Sequence, residues 1–205
     1  MTDLERDVLA LFEGSASRPD FDDGTSVSAP DLAADGLRLA TWLGEQGMAP
    51  GSRVALRLPN SADYIRLLLA CAAGGFVGVS VNTRYSDDEV ADLVQRSGAQ
   101  SIDGFGLNGL VDSLWLKSAP TQRRRRRDDA FVVFTTSGTT SRPKMVLHRQ
   151  HSIADHAVDA AALLGYRSDD TVMAVMPLCG TFGLGSLMAA VAAGSRVIVT
   201  DFELG

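Results

Sequence analysis

Apolar and polar positions follow one another along this chain with the periods of helices and short strands. Apolar residues recur at helical spacing over 30–46, and the glycine and proline residues that follow predict the end of that helix. Residues 53–58 are predicted to form a short strand, and a helix over 62–73 is predicted to begin after the capping hydroxyl of Ser61. β-Branched residues then predict a strand over 76–81.

A capping pattern opens the next helix. Ser86 is followed three residues later by Glu89, which is the spacing of a capping box, and Gly98 is expected to end the helix after about Ser97. After a gap the alternation resumes, with predicted strands over 130–135, 171–176 and 196–200 and predicted helices over 149–164 and 184–193. Repeated strand–helix units predict an α/β fold, with a mostly parallel sheet flanked by helices.

The regular pattern divides the chain into three segments. We expect residues 1–103 to form a first α/β lobe and residues 130–205 a second α/β segment. Residues 104–129 mix glycines, an apolar patch and an arginine run, and are predicted to be an irregular connection between them.

Composition narrows the classes of partner. The chain has 205 residues, 45% hydrophobic and 21% charged, with a formal net charge of −6. An acidic chain should repel nucleic acid and anionic membranes, so small molecules are the expected partners and nucleic acid is not. No apolar run reaches the roughly 20 residues of a membrane span. Two distant cysteines, Cys71 and Cys179, and an acidic N-terminal segment without an apolar core indicate a cytoplasmic location.

The most informative segment is a hydroxyl-rich turn that directly follows the apolar strand at 131–134. Its sequence is Thr135-Thr136-Ser137-Gly138-Thr139-Thr140-Ser141-Arg142-Pro143-Lys144. Backbone N–H groups, hydroxyls and one lysine charge, brought close together by a small residue, suit a polyphosphate. The P-loop of motor and signalling NTPases has a different spacing, since Pro143 and Met145 stand at the places of its glycine and magnesium-binding hydroxyl. A surface turn would explain the hydroxyls but not their position at a strand end.

This segment closely resembles the signature of the adenylate-forming (ANL) superfamily, the AMP-binding acyl-CoA synthetases and ligases, luciferases and adenylation domains of peptide synthetases. Their pattern is close to T-S-G-T-T-G-x-P-K-G. The matching residues are Thr136, Ser137, Gly138, Thr139, Thr140, Pro143 and Lys144, and Ser141 and Met145 stand where glycine is usual. Segments 56–60, 74–82 and 86–89 also look like early strand–helix units of this family, so the resemblance extends from about 30 to 201.

The resemblance implies both a fold and a chemistry. The fold is the large N-terminal domain of an acyl-adenylate-forming enzyme, and the cofactors are ATP, Mg²⁺ and coenzyme A. In this superfamily a carboxylate attacks the α-phosphorus of ATP, pyrophosphate leaves, and a thiol captures the acyl adenylate. We therefore expect an acid-thiol ligase, most simply an acyl-CoA synthetase, that acts on a small-molecule carboxylic acid. The alternatives are an adenylation domain that loads a carrier protein and a non-catalytic nucleotide-binding remnant.

The same resemblance assigns candidate residues. Lys144 and Thr139 are the candidate catalytic residues, and no metal ligand is assigned. The candidate contacts to ATP are Thr136, Ser137, Gly138, Thr139, Thr140 and Lys144. Segment 176–184 resembles the one that lines the acyl pocket, which gives Cys179, Gly180, Thr181, Phe182 and Gly183 as candidate substrate-binding residues. Gly180 stands where an aromatic residue or histidine is usual, which would widen or reshape the pocket.

Other parts of the family's site lie further along the chain. Relatives place there the adenine pocket, the magnesium-binding glutamate, the ribose-binding aspartate and the catalytic lysine of a mobile C-terminal domain. We therefore expect that this sequence, which ends at Gly205, is a truncated form or fragment that does not complete adenylation alone.

Three further motifs have simpler explanations. Residues 104–109 fit G-x-G-x-x-G, but the segment before them is too polar for a central strand, which favours a glycine-rich loop over a dinucleotide site. His148, His151 and His156 lack the spacing of a known metal motif, which favours packing or solvent contact. The arginine run 123–127 precedes two aspartates and contains no aromatic residue, which favours a solvated loop.

Overall fold

The computed structural model describes residues 7–22, 24–101, 127–136 and 143–200, and these form an α/β structure. Its helices are α1 (Val8–Glu13), α2 (Ala29–Glu45), α3 (Ala62–Gly74), α4 (Asp87–Ser97), α5 (Gln150–Leu164) and α6 (Thr181–Ala193). Its strands are β1 (Pro19–Phe21), β2 (Arg53–Leu56), β3 (Val77–Ser80), β4 (Gln100–Ser101), β5 (Ala130–Thr136), β6 (Lys144–Arg149), β7 (Thr171–Ala174) and β8 (Arg196–Val199). The predicted fold class is confirmed.

The larger of two sheets has the strand order β4-β2-β3-β5-β6. Strands β2 to β5 are parallel, and β6 is antiparallel to β5. The step from β2 to β3 and the step from β3 to β4 run in opposite directions across the sheet. Because such crossovers are right-handed, α3 and α4 lie on opposite faces. The strands are thus covered on both sides, which explains their nearly continuous apolar sequences.

The smaller sheet has the order β1-β8-β7, and all three strands are parallel. It pairs β1, from the start of the chain, with β8, from its end, just as the larger sheet pairs β3 with β5. Each sheet therefore combines strands from the two predicted lobes. The proposed division at residues 104–129 stays a prediction, because residues 102–126 lie outside the described part.

The main core lies where helices from both halves of the chain meet. Helix α1 is almost fully buried and contacts α2, α3, α5 and α6. Helices α2 and α3 approach closely at Gly36, where an added Cβ would lie 2.6 Å from the Cβ of Leu69. A separate cluster on the other face of the larger sheet packs Leu93 of α4 against residues of β2, β3 and β5.

The predicted capping box is present. The amide of Glu89 donates to Ser86 Oγ (3.3 Å), and the amide of Ser86 donates to a carboxylate oxygen of Glu89 (2.8 Å). Gly98 ends α4 with φ of +63°, a left-handed conformation that favours glycine. Local sequence rules therefore place both ends of α4 correctly.

Several predicted bounds need correction. Four strands end one or two residues earlier than expected: β2 at 56 and not 58, β3 at 80 and not 81, β7 at 174 and not 176, and β8 at 199 and not 200. Strand β5, expected to end at 135, includes Thr136. Helix α6 begins at Thr181 and not at Leu184. Strand and helix do not alternate throughout, because β5 is followed by β6, an antiparallel strand that the pattern did not predict.

One ion pair joins β1 to β8. Arg196 Nε lies 2.7 Å from Asp20 Oδ2, and the two residues sit on neighbouring strands. A hydrogen bond from Ser26, together with the hydrogen bond and charge of Arg196, lowers the pKa of Asp20 from 3.8. The site is partly open to solvent, so its contribution to stability is expected to be small.

Candidate functional site

The hydroxyl-rich segment connects the two strands of a β-hairpin. Thr136 at the end of β5 is the register partner of Lys144 at the start of β6, and both residues are exposed. We call Thr135, Thr136, Pro143 and Lys144 the hairpin mouth. The predicted residues Ser137, Gly138, Thr139 and Thr140 lie outside the described residues. Their roles, and those of Thr136 and Lys144, stay predictions.

The hairpin mouth lies at the carboxyl end of the larger sheet. Strands β2, β3 and β5 are parallel, so the turns that follow them meet at this edge. Open α/β sheets bind their ligands outside the carboxyl ends of the strands. Thr136 and Lys144 therefore lie at the edge of the sheet where ligands of such folds bind.

Helix α4 contacts the hairpin mouth at two places. Tyr85, just before the helix, shares a hydrogen bond of 3.0 Å between its Oη and Thr135 Oγ1. Arg96, in the last turn, donates from Nη1 to the carbonyl oxygen of Pro143 at 3.2 Å. A cavity of about 290 Å³ lies between α4 and the mouth and is bordered by these side chains.

The segment predicted to line the acyl pocket, residues 176–184, leads from β7 into α6, and we call it the acyl segment. Leu178 and Gly183 are buried, Cys179 and Gly180 are half-buried, and Thr181 is exposed. Phe182 is 85% exposed in the first turn of α6. The structure thus places the candidate substrate-binding residues along one turn, some facing inward and some outward.

Two glycines of this turn have different environments. At Gly183 an added Cβ would lie 2.1 Å from the carbonyl oxygen of Pro177, so no side chain fits without moving the backbone. At Gly180 the nearest atom would be 3.4 Å away, and its φ of −108° suits any residue. Gly183 is therefore required by packing, whereas a Cβ at Gly180 would make an ordinary van der Waals contact.

Asn60, in the turn after β2, holds the acyl segment against the carboxyl end of the larger sheet. Its Nδ2 donates to the carbonyl oxygens of Met176 (3.1 Å) and Thr200 (3.0 Å). Its Oδ1 accepts from the amide of Leu178 at 2.7 Å. Strand β2 is two positions from β5, or about 10 Å at the usual strand spacing, so the acyl segment and the hairpin mouth share one edge.

Tyr64 adds a buried polar link to the same segment. Its hydroxyl donates to the carbonyl oxygen of Leu178 (3.2 Å) and shares a hydrogen bond of 3.0 Å with Ser80 Oγ. Burial raises the pKa of Tyr64 well above its usual range of about 10. The hydroxyl therefore stays protonated and acts as a fixed hydrogen-bonding group.

The two cysteines differ in accessibility. Cys71 is fully buried within α3, and burial raises its pKa to about 12. Cys179, a candidate substrate-binding residue, is only half-buried. Among the described thiols, Cys179 is thus the one whose access to solvent a ligand at the acyl segment could block.

The other motifs have structural contacts where they are described. The ring of His148 packs edge-on against Phe134, with centroids 5.4 Å apart, and His151 Nδ1 lies 3.2 Å from the carbonyl oxygen of Arg127. Arg127 pairs with Asp155 at 2.7 Å. Across residues 7–22, 24–101, 127–136 and 143–200, no three His, Cys, Asp or Glu side chains are grouped to hold a metal. Residues 104–109 and 123–126 lie outside these ranges.

The sequence analysis did not single out Tyr85, Arg96 or Asn60 as site residues. Each acts through contacts to residues at least 47 positions away in the chain. A signal did exist for Asn60 and Tyr85, since both follow predicted strands whose carboxyl ends meet at one edge. Arg96 carried no such signal, because it lies in the last turn of a helix.

Comparison with known proteins gives a consistent assignment. Residues 7–103 and 106–204 match the family described as "AMP-binding enzyme". The chain is 28% identical to the 2-succinylbenzoate–CoA ligase of Oceanobacillus iheyensis, over 90% of this chain and 42% of that protein. It is 30% identical to the p-hydroxybenzoic acid–AMP ligase FadD22 of Mycobacterium marinum, over 97% of this chain and 31% of that protein.

Solved structures show the same fold. The complex of VinN with 3-methylaspartate has a TM-score of 0.84 and 22% identity, over 95% of this chain and 62% of that chain. The chain spans less than half the length of the two ligases above. In the described residues, none of the helices combines the length and apolarity needed to cross a bilayer.

Proposed function

Because this chain belongs to the AMP-binding enzyme family, we propose that it holds the phosphates of ATP in an acid ligase that forms an acyl adenylate. The observation that carries the proposal is the register of the hairpin, which sets Thr136 opposite Lys144 at the carboxyl end of the larger sheet. By their names, the two relatives compared above join a carboxylic acid to coenzyme A or to AMP.

The chemistry requires positive charge and hydrogen-bond donors near the leaving pyrophosphate. A carboxylate must approach an anionic triphosphate, so charge neutralisation lowers the barrier to attack on the α-phosphorus. The Lys144 side chain is exposed and has no ion-pair partner among the described residues. Its ammonium is thus available to phosphate, and the Thr136 hydroxyl lies on the paired position. When bound, Mg²⁺ would offset further charge, held mainly by phosphate oxygens and water.

The acyl segment is proposed to bind the carboxylic acid. Cys179, Gly180 and Phe182 offer accessible apolar surface at the edge that carries the hairpin mouth. Aromatic acids are the first substrates to test, because both ligases compared above have an aromatic acid in their names. Coenzyme A is the proposed acceptor of the acyl group, and a carrier protein is the alternative.

The test is ATP–pyrophosphate exchange by the full gene product against a panel of aromatic and fatty acids. We expect exchange with at least one acid, and Lys144→Ala should reduce kcat/KM for ATP by about 10²-fold, the usual effect of removing one charge-stabilising group. Lys144→Arg, which keeps the positive charge, should recover part of that loss. Thr139→Ala should act in the same direction.

Binding of adenosine provides the control. It should change less than about threefold in these variants, because the altered groups are proposed to meet phosphate and not the base. Unchanged exchange in both Lys144→Ala and Thr139→Ala would contradict the proposal. Pyrophosphate exchange without formation of a coenzyme A thioester would favour a carrier protein as the acceptor of the acyl group.

A further inference from the structure

We propose that Arg96 and Tyr85 are positioning residues that fix the hairpin mouth in the geometry needed to bind the triphosphate. The proposal rests on the function proposed above. It assigns to α4 a role in ATP binding that the phosphate-loop signature itself does not include, since both residues lie outside segment 135–144.

The second strand of the hairpin, β6, needs such support. Among the described strands β6 lies at the edge of the sheet and pairs with β5 alone, and four of its six residues are exposed. Of its side chains, Met145 is the one that packs against the cluster under α4. In the described part of the chain the pairing with β5 begins at Lys144, so the carbonyl group of Pro143 lies just outside the paired residues.

Arg96 supplies a contact at that point. Its Nη1 donates to the carbonyl oxygen of Pro143 (3.2 Å), the residue directly before Lys144. Its Nε donates to Asp92 Oδ2 (2.8 Å), one turn earlier on α4, which orients the guanidinium. The pair is partly shielded, with Arg96 and Asp92 side chains 26% and 34% exposed. A held guanidinium with two separate contacts restricts the Pro143 carbonyl in a way that a free side chain would not.

Tyr85 supplies the corresponding contact on β5, the first strand of the hairpin. Its Oη bonds to Thr135 Oγ1 (3.0 Å), and its own carbonyl oxygen accepts from Arg57 Nη2 (2.9 Å). Tyr85 precedes α4 and Arg96 lies near its end, so the two supporting residues stand at opposite ends of a helix of 11 residues, about 16 Å long.

Both strands at the hairpin mouth are thus tied to one rigid body. Helix α4 is fixed by the capping box at its start, and its buried Leu93 packs on the larger sheet. Loss of either contact should let the two strand ends separate or slide. The groups that must converge on one phosphate would then be misplaced, and phosphate binding would weaken. Binding of ATP is therefore affected more than binding of the acid.

The test compares Arg96→Ala and Tyr85→Phe in the full gene product, using the exchange assay. The KM for ATP should rise about three- to tenfold in each, the value of one such hydrogen bond, while the KM for the acid changes less than about twofold. Arg96→Lys, which keeps a charged donor, should recover part of the effect. Arg167→Ala is the matched control, because Arg167 is exposed and pairs with Asp169 away from α4.

Hydrogen exchange without nucleotide tests the positioning independently of activity. Amides of residues 144–149 should exchange about tenfold faster in Arg96→Ala than in wild type or Arg167→Ala. Unchanged KM for ATP, or equal changes in both KM values, would overturn the proposal. If the wild type catalyses no exchange with any acid, the proposed function fails. In that case hydrogen exchange is the remaining test of the positioning role, and unchanged exchange rates in Arg96→Ala would reject that role.

Discussion

Replacement of Asn60 by alanine should destabilise the protein more than any other single loss of a polar side chain in the turns at the carboxyl edge. The Asn60 amide joins three backbone groups, those of Met176, Leu178 and Thr200, at 2.7–3.1 Å. The donors and acceptors belong to segments more than 110 residues away. No neighbouring side chain of the turn, Pro59 or Ser61, reaches the same groups.

The magnitude follows from the number and burial of these bonds. Each net hydrogen bond is worth about 1 kcal/mol, and the bond to Met176 is exposed whereas the other two are part-buried. We expect a loss of about 2–3 kcal/mol in the free energy of unfolding. For a chain of this size that lowers Tm by about 4–12 °C. Asn60→Asp should also destabilise, because it keeps the acceptor but sets a carboxylate against two carbonyl oxygens.

The assay is urea denaturation followed by far-UV circular dichroism, with Asn82→Ala as the matched control. Asn82 Oδ1 accepts one local hydrogen bond, from the amide of Arg84 at 2.9 Å in an exposed turn, so its loss should cost about 0.5 kcal/mol. Equal midpoints for Asn60→Ala and Asn82→Ala would show that Asn60 does not join the two sheets. A change in the slope of the transition with no change in midpoint would equally refute the reasoning.

Three further results are expected. Gly183→Ala should lower stability by about 2 kcal/mol or more because its Cβ would overlap the Pro177 carbonyl, whereas Gly180→Ala should cost a few tenths; equal thermal shifts would contradict this. In the native protein a thiol reagent should label Cys179 much faster than Cys71, whose thiol is buried with a pKa of about 12; mass spectrometry of labelled peptides decides the point. Because the pKa of Asp20 is lowered on folding, its contribution to stability is full above about pH 3.8 and is lost as pH falls through the lower folded value. Asp20→Asn should remove that part of the acid dependence in urea titrations, and an unchanged pH profile would show that the pair is not formed.

Local rules predicted the helices and parallel strands well. Capping hydroxyls at Ser61 and Ser86 and glycines at 75 and 98 determine where α3 and α4 begin and end, and these signals depend only on neighbouring residues. The apolar runs of β2, β3 and β5 were also recognisable, because strands covered on both faces contain few polar residues. The fold class could therefore be deduced from the sequence.

Elements whose stability comes from distant partners were missed. β1 is three residues long and contains proline and aspartate, so it is a strand only because it pairs with β8. The sequence of β6 shows no clean alternation, because its two half-buried residues, Met145 and His148, lie on opposite faces of the strand and the other four are exposed. α1 is short and its apolar residues are contiguous, which hides a helical period.

The candidate site was predicted in part for the same reason. The residues of the signature, such as Thr136 and Lys144, are contiguous and could be found as a motif. Of the supports, Tyr85 and Asn60 depend on which turns meet at one sheet edge, and Arg96 depends on how α4 lies against the hairpin mouth. That information is in the strand order and not in local spacing, because the step from β3 to β4 reverses direction across the sheet.

The pairing of β1 with β8 has a consequence for the order of events during translation. Pro19 and Val197 are register partners, so nearly the whole described chain must leave the ribosome before the first strand finds its neighbour. Until then β1 and the apolar surface of α1 lack their final cover, and contacts of such sequence separation form slowly. A nascent chain in this interval is a natural client for a chaperone that shields apolar segments.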